Sequence, residues 1–384
     1  MRRTLQCAGA LAAVFLVATS AAQGDDSKGE PSELVRALQS LQDQVAQGST
    51  RAHAAQRELI ARTAQRFDAL SAEQWQEPKN ARAAVVFVLS GGTARALQKL
   101  TRSGVKTDLS ENLLKGTLAY SEGRNNEAAE FFDEIEARTL DPSLAGHVAY
   151  AKGALAGKKE TAKALAYLDD ARLLSPGTII EEAALRKQVA LLAAIGASER
   201  YEAVAARYLR RFPNSVYADG FRQEFAVAIA LHTDAEPERL GRLEELLSGV
   251  LLDERREVYL TIAKESLGKG KIEMAKFAAG NARRLADDGT IERERALLYE
   301  GAALIVTEAF ERAAKTLVAL DRGKLAETDT ALLDAALSIA DQVRRMPEPP
   351  DAEPPAVAVE AASRALAQSR NVISRVDELL SGAR

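Results

Sequence analysis

The chain has 384 residues, 47% hydrophobic and 28% charged, with a formal charge of −4, a globular composition that excludes a wholly disordered chain. Only 5% of residues are aromatic, and the apolar content leans on Ala and Leu, which favours close helix–helix contact over thick sheet cores. The length accommodates two compact domains or one elongated repeat array, and the mildly acidic balance argues against a nucleic-acid partner.

Residues 1–22 read as a cleaved export signal: Arg2 and Arg3, an apolar run from Ala8 to Ala18, then small residues, with the cut between Ala22 and Gln23. The run is short for a spanning helix, so a soluble exported chain is preferred over an uncleaved anchor, with no stable membrane insertion after cleavage. Cleavage removes two arginines and no acid, taking the charge to −6, and removes Cys7, the only cysteine. The mature chain therefore forms no disulfide and relies on packing. The arginine-rich leader and alanine-rich composition point to a Gram-negative bacterium and the periplasm.

Residues 23–31 are expected to be a flexible N-terminus, followed by an N-terminal helical segment over 32–104. There Leu34, Leu38, Leu41 and Val45 share one stripe, with Ser32 as an N-cap and Gly48 as a stop. Leu59, Thr63, Phe67 and Leu70 form a second stripe. Ser71 and Gln74 fit a capping box. The apolar run Val85–Val88 suits a strand or a buried helix; without a neighbouring strand to pair with, helix is expected.

Residues 105–345 read as tetratricopeptide-like helical repeats. Pro142, Pro176 and Pro213 recur at intervals of 34 and 37 residues, close to the repeat period of about 34, and each is expected to end a helix. Small residues recur in register: Gly116, Gly123 and Ala128 before Phe132; Ala164 and Ala171 around Leu168; Gly196 at a turn; Ala263, Gly270, Ala275, Ala279 and Ala282; and Gly301 and Ala313 before Leu317. Small residues let paired helices approach, and the later Phe or Leu is expected to fill the groove between units. The expected fold is thus an all-α superhelix of helical hairpins with an N-terminal helical segment; the competing architecture is an irregular helical bundle. Residues 346–355, with five prolines in ten, form an extended linker. Residues 356–384 carry a drifting apolar face and are expected to form a helix that caps the array or meets a partner.

Candidate chemistry is sparse. His53, His147 and His232 lie far apart without ligand-spaced partners, so neither metal nor cofactor is expected. Glu265-Ser266 resembles the Glu-Ser pair of lytic transglycosylases, but it lies inside a repeat with no lysozyme-like domain following. Glu181 and Glu182 read as solvated helix-end charges. No catalytic constellation is apparent, and the chain is read as a non-enzyme. In "YLRRFPNSVYADGFRQEFA", Tyr208 to Ala226, a helix ends at Pro213 and Ser215 caps the next; Phe212, Tyr217 and Phe221 pack across the joint. Arg210, Arg211 and Arg222 stand apart. They form either a basic patch for an acidic partner or solvated cations at a helix C-terminus.

Several stretches, taken in order, resemble the MotC family of periplasmic motility proteins of rhizobia and related alphaproteobacteria: "ELVRALQSLQDQVAQG", "HAAQRELIARTAQRF", "NARAAVVFVLSGG", "LLKGTLAYSEGR", "ARLLSPGTIIEEAALRKQ" and the joint just quoted. The resemblance runs from Glu33 to Ala226 and is looser beyond. It implies export to the periplasm, a non-enzymatic role in flagellar rotation and chemotaxis, and association with the periplasmic part of the stator subunit MotB. Two rival readings remain: a general adaptor in envelope or peptidoglycan assembly, and a muramidase-like enzyme using Glu265.

Overall fold

A computed structural model of the chain describes residues 29–345, and these are helical with no strand among them. The expected export signal, its cut at Ala22 and Gln23, the Pro-rich linker and the C-terminal helix lie outside the described residues. The described residues divide into two compact units, with the boundary between Phe225 and Ala226.

In the first unit α1 (Pro31–Ala46) and α2 (Thr50–Ala69) form a hairpin, followed by α3 (Ala72–Trp75), α4 (Pro78–Leu89) and α5 (Arg95–Arg102). The first helix begins one residue before the expected Ser32 cap. Pro31 takes the first helical position and the Glu33 carboxylate accepts from the Glu30 N–H at 3.4 Å, because a proline there gives up an N–H that the helix leaves unpaired anyway. Ser71 and Gln74 form the expected capping box, with Gln74 N–H donating to Ser71 Oγ at 3.3 Å and Ser71 N–H to Gln74 Oε1 at 3.0 Å. The run Val85–Val88 is helix α4, and it is apolar on every side because α1, α5, α6 (Glu111–Ser121) and α8 (Pro142–Ala156) all pack on it. Phe67 stacks on Trp75 and leans on Phe87, at 5.7 and 5.3 Å between centroids.

Three hairpins follow: α6 with α7 (Asn125–Asp133), α8 with α9 (Thr161–Leu174), and α10 (Ile179–Ala194) with α11 (Ser198–Arg211). The division between the units falls inside α12 (Ala218–His232). The second unit contains α13 (Pro237–Ser248), the hairpin α14 (Leu252–Gly268) with α15 (Ile272–Arg284), the hairpin α16 (Ile291–Leu304) with α17 (Phe310–Val318), and α18 (Glu327–Arg344).

Glycines explain how the hairpins close. A Cβ built on Gly116 would lie 2.8 Å from the Phe132 ring, on Gly153 2.7 Å from Leu168, and on Gly301 2.8 Å from Leu317. In each pair the glycine lies on the first helix and the large side chain 15 or 16 residues later on the second. Phe132, Leu168 and Leu317 therefore fill the space opposite a glycine of their own hairpin, whereas the sequence pattern placed such residues between units. Ala263, Ala275, Ala279 and Ala282 are fully buried in α14 and α15, where small residues likewise permit close approach. Pro142 corrects another expectation. It opens α8 at its first position, with Asp141 Oδ1 accepting from Ser143 N–H at 3.0 Å; Pro176 and Pro213 do follow helix ends.

Candidate functional site at the joint after the third hairpin

The turn after α11 gathers the residues singled out in the sequence. The Glu182 carboxylate, on the first turn of α10, is wholly buried. It accepts from Tyr208 Oη at 2.8 Å, from Ser215 Oγ at 3.2 Å, and from Arg186 Nε at 2.9 Å. A buried carboxylate is tolerated only when its lone pairs are met by donors, and here three side chains from three segments meet them. Burial first, and then the Glu182 charge, push the Tyr208 hydroxyl well above its ordinary range, so it remains a donor. The Tyr208 ring stacks on Phe221 at 3.8 Å, while Phe212 and Phe221 are buried as expected.

Glu181 and Glu182 are thus not solvated helix-end charges. Glu181 is 5% exposed and accepts from the Gly177 N–H at 2.6 Å and from Arg211 Nη2 at 2.8 Å. Ser215 lies in the turn ahead of α12, which begins at Ala218, and so is not the expected cap of that helix: its hydroxyl accepts from the Tyr217 N–H at 3.2 Å while donating to Glu182.

The N-terminal hairpin closes over this joint. Asp43 of α1 accepts from the Ile179 N–H at 2.9 Å, supplying a partner to the first residue of α10 from 136 positions away. Burial pushes the Asp43 carboxyl up, and the Ile179 N–H works against that. The Val216 N–H donates to Val45 O at 3.2 Å. Tyr217 lies between the edge of His53, 5.9 Å away, and the Arg186 guanidinium, 4.6 Å over its face. This closure had no signal in the sequence, because its members belong to segments read separately.

The three arginines do not share one exposed face. Arg210 and Arg211 are exposed, Arg211 being paired with Glu181, and Arg222 is 7% exposed, donating to Pro213 O at 3.0 Å and pairing with Asp219. The buried guanidinium of Arg222 ties down the turn between α11 and α12.

The second unit repeats the buried-carboxylate device. Asp329, 3% exposed at the start of α18, accepts from Tyr299 Oη at 2.9 Å and Lys264 Nζ at 3.1 Å. It links α18 to α16 and α14. Glu265 is half-buried on α14, and its neighbour Ser266 is fully buried. Among the described residues no group of three or more His, Cys, Asp or Glu side chains is placed to hold a metal ion, and no helix is long and apolar enough to cross a membrane. At the joint, the polar groups hold segments together: Glu182, Tyr208 and Ser215 are consumed by one another.

Comparison with known proteins places the chain. Residues 1–383 match the family described as chemotaxis protein MotC. A curated relative, chemotaxis protein MotC of Rhizobium meliloti (strain 1021), is 32% identical over 356 residues, covering 92% of this chain and 81% of that protein. Among solved structures, the tetratricopeptide-repeat domain of P58(IPK) is similar at 15% identity and a TM-score of 0.28, covering 77% of this chain and 83% of that one. That likeness is too distant to carry an argument, and the repeat character rests on the glycine-closed hairpins described above. With its match spanning residues 1–383, the chain belongs to the MotC family.

Proposed function

We propose that this chain is an exported, periplasmic motility and chemotaxis protein without enzymatic activity, a scaffold whose helical hairpins hold the periplasmic part of the stator subunit MotB. The observation that carries this reading is the family match over residues 1–383. It is supported by the signal-like leader in the sequence and by a fold of stacked hairpins, whose side faces offer extended surfaces for a protein client. Holding the stator segment would bias its placement, or its proton-channel state, around the rotor.

The test is a binding titration of the chain from Gln23 onward against the periplasmic portion of MotB from the same organism, alongside swimming assays of a deletion strain. Saturable binding and a non-swimming strain with intact flagella are expected. Charge reversal at Arg210, which is exposed, probes the patch reading; reversal at Arg211 also breaks the pair with buried Glu181, so Arg210→Glu is the cleaner probe. Absence of binding at high micromolar concentration would overturn the direct partnership and leave a general envelope adaptor. Peptidoglycan turnover that disappears in Glu265→Gln would overturn the non-enzymatic reading.

A further inference from the structure

A groove of about 440 Å³ lies between α7 and the tip of the second hairpin, within the first unit. Its size falls in the range of pockets that take a small ligand or a few residues of peptide. Four lysines line it, Lys152, Lys158, Lys159 and Lys163, against two carboxylates, Asp133 and Glu160. Both carboxylates are engaged by Lys163, at 2.9 Å from Asp133 and 3.9 Å from Glu160. Four ammonium groups against two carboxylates leave the lining with a net charge of +2.

Lys152 is the unusual member. It is 7% exposed, donates to the Ile135 carbonyl at 2.5 Å, and lies 4.6 Å over the face of Tyr167. An ammonium has three protons to donate, and only one goes to Ile135. Burial lowers its proton affinity, the mark of a charge held where solvation is poor, with the more distant Asp133, Glu136 and Asp170 charges working against that. Burying a cation with its bonding capacity unfilled is costly, and an anion in the groove would fill it. Two further features face the same space. Asn125 and Asn126 open α7 at the groove, and Arg124 before them provides no side-chain cap to the first-turn N–H groups, which leaves the positive end of the helix available. Ala129 and Leu155, both half-buried, add apolar walls.

The geometry points to this groove as a binding site for an acidic peptide segment, its carboxylates received by Lys152 and by Lys158 and Lys159 on the adjoining turn, its apolar stems lying on Ala129 and Leu155. Lysines act as point charges suited to single carboxylate oxygens, and the lining holds no arginine whose guanidinium fork would grip a phosphate bidentately. The assignment stands independently of the partner proposed above.

The test uses the chain from Gln23 onward and a fluorescein-labelled peptide, Gly-Ala-Leu-Asp-Leu-Glu with a free C-terminus, read by polarisation. Its neutral counterpart, Gly-Ala-Leu-Asn-Leu-Gln amide, and inorganic phosphate serve as controls. Saturable binding is expected, weakened by salt, with the neutral peptide weaker by about tenfold or more. K152M removes the charge and keeps the stem; K158E/K159E reverses the exposed turn and decides the matter should K152M fail to fold. Each is expected to weaken binding by about tenfold or more with Trp75 fluorescence unchanged. Equal binding of the neutral peptide, indifference to both variants, or displacement by phosphate as effective as by unlabelled acidic peptide would each overturn the proposal.

Discussion

Gly48 and Asn214 meet so closely that a Cβ at position 48 would lie 2.4 Å from the Asn214 carbonyl oxygen. Gly48 ends the first helix at φ 103°, and Asn214 sits in the turn after the third hairpin. Backbone conformation and backbone approach therefore both require glycine here. Gly91 provides the comparison: its φ is 93°, with nothing within 4 Å of the built Cβ. Gly91→Ala should cost about 1–2 kcal/mol from conformation alone. Gly48→Ala should cost about 2 kcal/mol more, because the docked turn must shift. Trp75, the only tryptophan, is buried in this unit, so its fluorescence in a urea titration reads both variants. Equal midpoints would show that the N-terminal hairpin does not bear on the turn.

The Glu182 cluster orders a second pair of variants. Glu182→Gln keeps the shape but leaves Arg186 without its countercharge, while Tyr208 and Ser215 lose a charged acceptor. A loss of roughly 2–4 kcal/mol is expected, below the limit for a fully buried pair because Arg186 is partly solvated. Tyr208→Phe deletes one hydrogen bond to a charged group and should cost roughly 1.5–3 kcal/mol. The double variant should cost less than the sum, since both act on one carboxylate. Strict additivity would mean the two side chains act separately.

Gly301 reverses an ordinary rule. Replacing a helix-interior glycine by alanine usually stabilises by up to about 1 kcal/mol, and Gly280→Ala on α15, with nothing near the added Cβ, should do so. Gly301→Ala instead drives the methyl to 2.8 Å from Leu317, and overpacking of this kind costs about 1–3 kcal/mol. Circular-dichroism melting should show the two alanines moving the transition in opposite directions. Shifts of the same sign would remove Gly301 from its place in the hairpin contact.

Buried His147 couples stability to pH. Burial lowers its pKa to about 4, the Ser143 backbone hydrogen bond working against that shift. The unfolded chain takes up the proton near the ordinary value of about 6.5 and the folded chain near 4, so protonation favours unfolding between them. Stability is complete above about pH 6.5 and falls as pH drops towards 4, by up to about 3 kcal/mol from this group. Trp75-detected urea titrations at pH 7.5 and 5.0 should show a steeper acid loss for the wild type than for His147→Leu. Parallel losses would place the acid sensitivity elsewhere.

Sequence alone determined the helical class, the stretches that become hairpins and the Ser71–Gln74 box. These depend on residues a few positions apart: the spacing of apolar side chains, a cap, a turn glycine. Even the joint's aromatics, Phe212 and Phe221, were legible as core from their spacing. Tertiary structure decided what those local rules do not reach. Glu182 reads as a surface acid until Tyr208 and Ser215 cover it, and Arg222 reads as a solvated cation until its own side chain folds back onto Pro213. Asp43 supplies a partner to Ile179, and Gly48 admits Asn214, across separations that leave no periodic trace. Burial and pairing depend on which segment covers a residue, and that is settled only when distant apolar faces come together to leave water.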